Sequence, residues 1–299
     1  MEAMAIHVIM ILTNAASNTG LQNKFELTLR SMLTHTTRSI HLHLISDDHS
    51  YNAALDVIDR RIHPKIDGDK MRMLRVEKHT IGLMTAKIDH ELGDELIQYF
   101  RYNKQSYYGD NLFFLSIIAN QLFPSLTKVI QLDSDLKFET DIANLYAEFE
   151  KFTADNIIGI AHEQQPVYRN VFNVYRSRNP LTPVGDPPPD GVTGFNSGVL
   201  LIDLQKMSQS TEYQSLLNLA VIERLAHKYS FKGHLGDQDL YTLLSIEHPR
   251  LFHILSCGWN RQLCRWWEEN GAFKNVFHLY HDCRDTVKIY HGNCNTPIP

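Results

Sequence analysis

The alternation at the start of the chain constrains the fold more than any other feature. Ile6-His7-Val8-Ile9-Met10-Ile11-Leu12 is a near-continuous β-rich run, the pattern of a strand buried on both faces. It ends at Thr13-Asn14, and a polar loop follows through Gly20. Phe25, Leu29, Met32 and Leu33 then recur at a helical period. Ile40 to Ser46 alternates into a second strand, closed by Asp47-Asp48. Strand, helix, strand is the opening of a parallel α/β sheet. The apolar stretch Ala3 to Leu12 is too short to span a bilayer and reads as the first strand.

The same grammar continues. Residues 51–63 and Leu112–Leu122 are expected helices, the second stopped by Pro124, with a short strand at Met73–Val76 and a Tyr-rich loop from Asn103 to Asp110. Val129-Ile130-Gln131-Leu132 is a strand running into Asp133-Ser134-Asp135, and Asp141 is placed to cap the next helix. Ile157–Ala161 is a short strand. Residues 166–191 form a long irregular loop, Gly194 to Asp203 a turn feeding a strand, and Tyr213–Tyr229 a helix. A glycine-bracketed polar turn, Gly233 to Asp239, enters a helix from Leu240. With no repeats or linkers, residues 1–299 read as one Rossmann-like α/β domain with a mixed, mostly parallel sheet, and residues 250–299 as a Cys- and Trp-rich C-terminal extension.

A net charge of −5 gives no reason to expect nucleic acid or an anionic membrane as partner. Cys257, Cys264, Cys283 and Cys294 all fall in the extension and lack the C-x2-C spacing usual for zinc, so two disulfides are expected. Spacing leaves all three connectivities open. Disulfides imply an oxidising compartment, so a targeting segment is expected upstream.

Asp133 and Asp135 at a strand end suit a hard divalent cation. Mn²⁺ takes an imidazole more readily than Mg²⁺, and His291, before Gly292, is a candidate third ligand. Asn196 lies between two glycines and offers both a donor and an acceptor to sugar hydroxyls; Asp237 and Gln238 offer the same chemistry in a second turn. Trp259, Trp266 and Trp267 divide between packing the extension and presenting a flat face to a sugar ring. Arg169, Arg176 and Arg178 are spread, and no chemistry is assigned to them. A phosphatase-type hydrolase also opens on a strand ending in D-x-D. There the second acid is usually followed by one residue and then Thr or Val, whereas here Leu136-Lys137 follows.

The order of the first strand, the D-x-D, Phe195-Asn196-Ser197-Gly198 and Gly236-Asp237-Gln238-Asp239 resembles the retaining family-8 type of GT-A glycosyltransferases over nearly the whole chain. Gln131 to Phe138, Gly233 to Asp239, Trp259 to Cys264 and Val287 to Pro299 bring the likeness closest to members that add xylose to O-glucose glycans. The resemblance implies Asp133, Asp135 and His291 as Mn²⁺ ligands, with Mg²⁺ the alternative ion, and UDP-xylose as donor. Thr13, Leu132, Ser134, Asn196, Asp237, Gln238 and Gly292 are the implied donor contacts, Thr13 at the nucleobase, and Asp237 and Gln238 near the reacting carbon. His234, Leu235, Trp267 and Asn293 are the implied acceptor contacts. It further implies xylosylated O-glucose glycans on EGF repeats of Notch-like proteins as acceptors, and the endoplasmic reticulum lumen, with an N-terminal membrane anchor outside this chain. The pairs expected alongside it are Cys257–Cys283 and Cys264–Cys294. Alternatives are a glucoside xylosyltransferase or another family-8 hexosyltransferase. Gln238 is a poor nucleophile beside a carboxylate, so retention is expected by front-face return. Two departures stand out. Many relatives have an Arg after the Tyr loop, where this chain has Gly109-Asp110. Many also have H-x-x-G-x-x-K, whereas here Gly follows His291 directly and Asn295 stands where the Lys would be.

Overall fold

The computed structural model describes residues 5–101, 110–271 and 273–299. The Tyr-rich loop, including Gly109 of the first departure, lies outside the described residues.

Seven strands build the central sheet in the order β3-β2-β1-β4-β7-β6-β8. They are β1 (Ile6–Ile11), β2 (Ile40–Ser46), β3 (Leu74–Thr80), β4 (Lys128–Leu132), β6 (Ile158–His162), β7 (Phe195–Asp203) and β8 (Phe252–Leu255). A second, three-stranded sheet pairs β5 (Leu136–Phe138), β10 (Ile289–His291) and β9 (Arg261–Gln262) in that order. Among the described residues, β7 alone runs against its neighbours in the large sheet. The expected mixed, mostly parallel α/β architecture is what forms.

Helices cover both faces. α1 (Thr19–His35) and α2 (Asp48–Val57) bury Phe25, Leu29, Met32, Leu33, Ala54 and Val57 against Val8, Met10, Leu42 and Leu44. Asn18 and Asp47 cap them by accepting from Leu21 and Ser50 N–H. The other face carries the larger core, with helices Ile81–Ile97, Leu219–Tyr229 and Asp237–Ser245. Such double coverage explains why β1 and β4 are apolar at nearly every position.

Three local expectations change, and one helix forms where none was expected. Asn111–Ile118 winds as a 3-10 helix before one α-turn, Ala119–Leu122, because it is buried on every side and packing sets its pitch. Residues 166–191 contain two short helices, Val167–Val171 and Asn173–Arg178, anchored by buried Tyr168 and Phe172. Arg169 and Arg176 both pair with Asp186 there, a structural role. The expected Tyr213–Tyr229 helix breaks at Leu217-Asn218, where Asn218 caps a new start. The helix Ile81–Ile97 lacks a clean sequence signal because Gly82 and Gly93 interrupt it, the latter at φ +70°.

The C-terminal segment is tied by Cys257–Cys283 and Cys264–Cys294, the expected crossing pairs. Trp259 is buried, donates from Nε1 to Glu148 at 3.0 Å and lies under Lys288. It packs the segment onto the sheet, while Trp266 stays half exposed, edge-on to Trp267. Among the described residues, no helix is long and apolar enough to cross a membrane.

Candidate active site

Strand direction determines what meets at one sheet edge. The C-terminal ends of β1, β4 and β6 deliver Thr13, Asp133 and Glu163, and the reversed β7 delivers its first residues, Asn196 to Gly198, to the same edge. The backbone N–H of Asp133 donates to Gly198 O at 3.0 Å. A crevice at such an edge, where strand order switches, is where open α/β sheets place ligands.

The acidic turn is held from α1. Thr28 Oγ1 donates toward Ser134 O at 2.8 Å and accepts from Leu136 N–H at 2.9 Å, so one hydroxyl spans the turn. β10 then pairs antiparallel with β5, setting His291 opposite Leu136, and Gly292 N–H donates to Asp135 O at 2.8 Å. A Cβ on Gly292 would sit 2.8 Å from Thr296 O, so only glycine permits this approach. The result is that His291 Nε2 lies 3.4 Å from both Asp133 Oδ2 and Asp135 Oδ1.

Opposite charges are tightly coupled in this cluster. Burial alone would push the His291 imidazole down, but hydrogen bonds and charge from Asp133 and Asp135 raise it to about 10. Burial would raise Asp135, yet His291 and Lys24 hold it at about 2. Asn260 Oδ1 sits 3.0 Å from His291 Nδ1, so Nδ1 carries the proton and Nε2 faces the carboxylates. Asn260 also donates to Asn196 Oδ1 at 2.9 Å, and Asn196 donates to Glu163 Oε2 at 3.1 Å. One chain of contacts therefore joins the imidazole to the Asn196 turn.

Gln238 closes the other side. Its Oε1 accepts from Ser197 N–H at 3.3 Å, and its Nε2 donates to Tyr168 Oη at 3.2 Å. The Asp237 carboxylate accepts from Ser116 Oγ, and burial pushes its pKa up to about 7. Burial likewise raises Glu163 to about 7, and its Oε1 has no protein hydrogen-bond partner. Asp239 occupies the first helical turn, accepting from the His234 and Leu235 N–H groups and from Tyr168 Oη at 2.8 Å, a structural role.

The structure thus brings Asp133, Asp135 and His291 together and lines the same edge with Leu132, Ser134, Asn196, Asp237, Gln238 and Gly292. Asn293 is different: its Oδ1 accepts from Leu263 and Cys264 N–H at 3.0 and 2.9 Å, holding the backbone after β9. Trp267 packs with Trp266 and Phe273 on the short helix Trp266–Asn270. Sequence reasoning missed Lys24, whose Nζ lies 3.3 Å from Asp135 Oδ2 and 2.8 Å from Asn295 Oδ1. It missed Thr28, Glu163 and Asn260 as well. Nothing local marks Lys24; the one available signal was the empty place that Asn295 leaves in the relatives' Lys pattern.

A reversed strand in a mostly parallel sheet, with two carboxylates and an imidazole converging beside the Asn196 and Gln238 amides, is the architecture of a GT-A-type glycosyltransferase. The chain belongs to glycosyl transferase family 8, whose model matches residues 27–275. It is 45% identical to human xyloside xylosyltransferase 1 over 98% of this chain and 74% of that protein. The crystal structure of mouse xyloside xylosyltransferase 1 in its apo form superposes with a TM-score of 0.91 at 42% identity, covering 99% of this chain and 100% of the other. The galactosyltransferase LgtC in complex with donor and acceptor sugar analogs shares the fold, with a TM-score of 0.55 at 14% identity over 96% and 86% of the two chains.

Proposed function

We propose that this glycosyltransferase moves xylose from UDP-xylose, with retention, in α-1,3 linkage onto the xylose of xylose–glucose O-glycans carried by Notch-type EGF repeats in the endoplasmic reticulum lumen. The observation that carries the reading is the convergence of Asp133, Asp135 and His291 Nε2 beside Asn196 and Gln238. The likeness to xyloside xylosyltransferases supports the donor and acceptor, and the disulfides support the oxidising lumen.

The donor set fits Mn²⁺. Two carboxylates and one imidazole nitrogen, whose proton a bound ion would displace and whose partner nitrogen is fixed by Asn260, make an oxygen-rich site with a single nitrogen, which suits Mn²⁺ better than Mg²⁺. Such an ion, when bound, neutralises charge that builds on a departing diphosphate. Asn196, Asp237 and Gln238 hold the donor sugar, and Thr13 meets the nucleobase. Gln238 is an amide already engaged with Ser197 and Tyr168, and the Asp237 carboxyl is buried with a pKa near 7. Neither is poised as a carboxylate nucleophile, which favours front-face attack with the leaving phosphate taking the acceptor proton. His234, Leu235, Trp267 and Asn293 form the acceptor side; with Asn293 Oδ1 committed to backbone, its amide NH₂ is the group left for a sugar hydroxyl.

Lys24 takes the place of the cation the sequence lacks near Asn295. Its ammonium reaches both Asp135 and Asn295 from α1, within range of a diphosphate held by the same carboxylate. Replacing Lys24 by Ala is expected to weaken UDP about tenfold, ~1.4 kcal/mol, while leaving uridine binding unchanged. Equal affinity of wild type and variant for UDP in calorimetry would remove Lys24 from the diphosphate grip.

The reading is tested by offering a panel of nucleotide sugars with xylosyl-glucosyl and glucosyl EGF repeats, with Mn²⁺ or with chelator. Transfer is expected from UDP-xylose only, to the xylosylated repeat only, and only with metal. Preference for the glucosyl repeat points instead to a glucoside xylosyltransferase, and transfer from another sugar nucleotide refutes the donor.

A further inference from the structure

Away from the active site, the starts of β1 and β2 and the later half of β3 carry an array of histidines that the transferase chemistry does not use. His7 on β1 stands in register with His41 on β2, and His43 on β2 with Glu77 on β3. The alternate residues, Val8, Leu42 and Val76, belong to the core under α1 and α2, so the histidines share the opposite face. On that face β1 and β2 turn apolar further along, at Ile9 and Ile45, while β3 sets His79 beside Ile45. Phe123 covers the array edge-on, 5.4 Å from His43 and 5.1 Å from His79 between ring centres.

The nitrogens converge. His7 Nδ1 is 2.9 Å from His43 Nε2, and His43 Nδ1 is 2.9 Å from His79 Nε2. One nitrogen from each of His7, His41 and His43 lies within 4.8 Å of the other two. His41 Nε2 is buried 2.8 Å from a Glu77 carboxylate oxygen but makes no well-directed hydrogen bond. Burial, then the neighbouring rings, pushes His43 down to about 3, and burial also lowers His7 and His79. These rings therefore stay neutral, the state in which imidazole binds metal.

The bland account is a chain of neutral N–H···N bonds, in which His79 donates to His43 and His43 to His7. That chain satisfies three rings and leaves His41 Nε2 facing Glu77 without a proper bond. We propose that His7, His41 and His43 form a site for a zinc-type transition-metal dication, with Glu77 behind His41 and His79 behind His43 as outer partners. Three imidazoles prefer Zn²⁺, Cu²⁺ or Ni²⁺, whereas the oxygen-rich triad at the sheet's other end prefers Mn²⁺, so chemistry keeps the two ions apart. A carboxylate behind a ligand, as Glu77 stands behind His41, is a usual way a metal-binding ring is oriented, and the His79 ring supplies an acceptor behind His43. Zn–N bonds of about 2.0–2.1 Å in a tetrahedron put nitrogens about 3.4 Å apart, so His7 and His43 need open by only about half an ångström. A fourth position is left for a water molecule.

The test uses the full chain, disulfides intact, with Mn²⁺ and UDP already occupying the active site. Titration with ZnCl₂ in calorimetry is expected to show one further equivalent and a rise in Tm on the order of 5 °C at saturating zinc. His7→Gln and His41→Gln are each expected to weaken that equivalent at least about 50-fold while transferase activity is kept. Co²⁺ on the wild-type chain is expected to give the intense visible bands of tetrahedral nitrogen ligation, a readout that needs no variant. The proposal is overturned by the absence of a further equivalent, by one that survives both substitutions, or by an octahedral Co²⁺ spectrum.

Discussion

Replacing Asp135 by Ala is expected to remove Mn²⁺-supported UDP binding and to lower transferase activity at least about 10³-fold, ~4 kcal/mol. The size follows from how many partners converge on this one carboxylate. Its Oδ1 faces His291 Nε2 and its Oδ2 faces Lys24, so the substitution leaves the buried imidazole with Asp133 as its one carboxylate and deprives the half-buried ammonium of its counter-charge. Losing even an outer partner of a metal ligand costs about 10–100-fold in affinity, and a direct ligand costs more. Asp133 is more than half exposed and cannot hold an ion alone with His291. Calorimetry with UDP, with and without Mn²⁺, reads the first effect and single-turnover transfer the second. Undiminished metal-dependent binding in the variant would sink the ligand assignment.

Adding one methyl group at Gly198 is expected to do almost as much damage without touching any ligand. A Cβ there would lie 2.7 Å from His291 Nδ1 and closer still to Cε1, inside the imidazole's contact shell. The backbone cannot give way, because Gly198 O accepts from Asp133 N–H and Gly198 N–H donates to Asn196 Oδ1. The ring must swing off Asn260 and away from the carboxylates. Overpacking of this kind costs about 1–3 kcal/mol of stability, leaving the sheet folded. Gly198→Ala is thus expected to show near-native far-ultraviolet dichroism with metal affinity reduced about 100-fold or more. Native metal affinity in a folded variant would mean that His291 is not where the strand register places it.

The regular part of this architecture was readable because its signals are local. β1 and β2 have apolar runs of the right length, α1 has its period, and β4 ends at once in carboxylates. The helix Ile81–Ile97 was not readable, since Gly93 breaks its pattern and its packing partner Asn111–Leu122 lies far along the chain. At the site the same division holds. Asp133, Asp135, Asn196 and Gln238 sit in short motifs, and His291 was reachable beside a glycine. Lys24, Thr28, Glu163 and Asn260 act through contacts spanning from 31 residues to 271 in sequence, which no window of local pattern contains. Each looks like an ordinary surface or turn residue until the strands are ordered.

The hydroxyl of Thr28 and the ammonium of Lys24 are one turn apart on a single rigid helix. The shape of the acidic turn and the charge placed beside it are therefore not independent variables. Any drift of α1, including one started at its Glu26 contacts with Arg61 and Lys65, moves both together. Substitutions on this helix should compound rather than add, and an engineer seeking a different donor would have to treat α1 and the acidic turn as one unit.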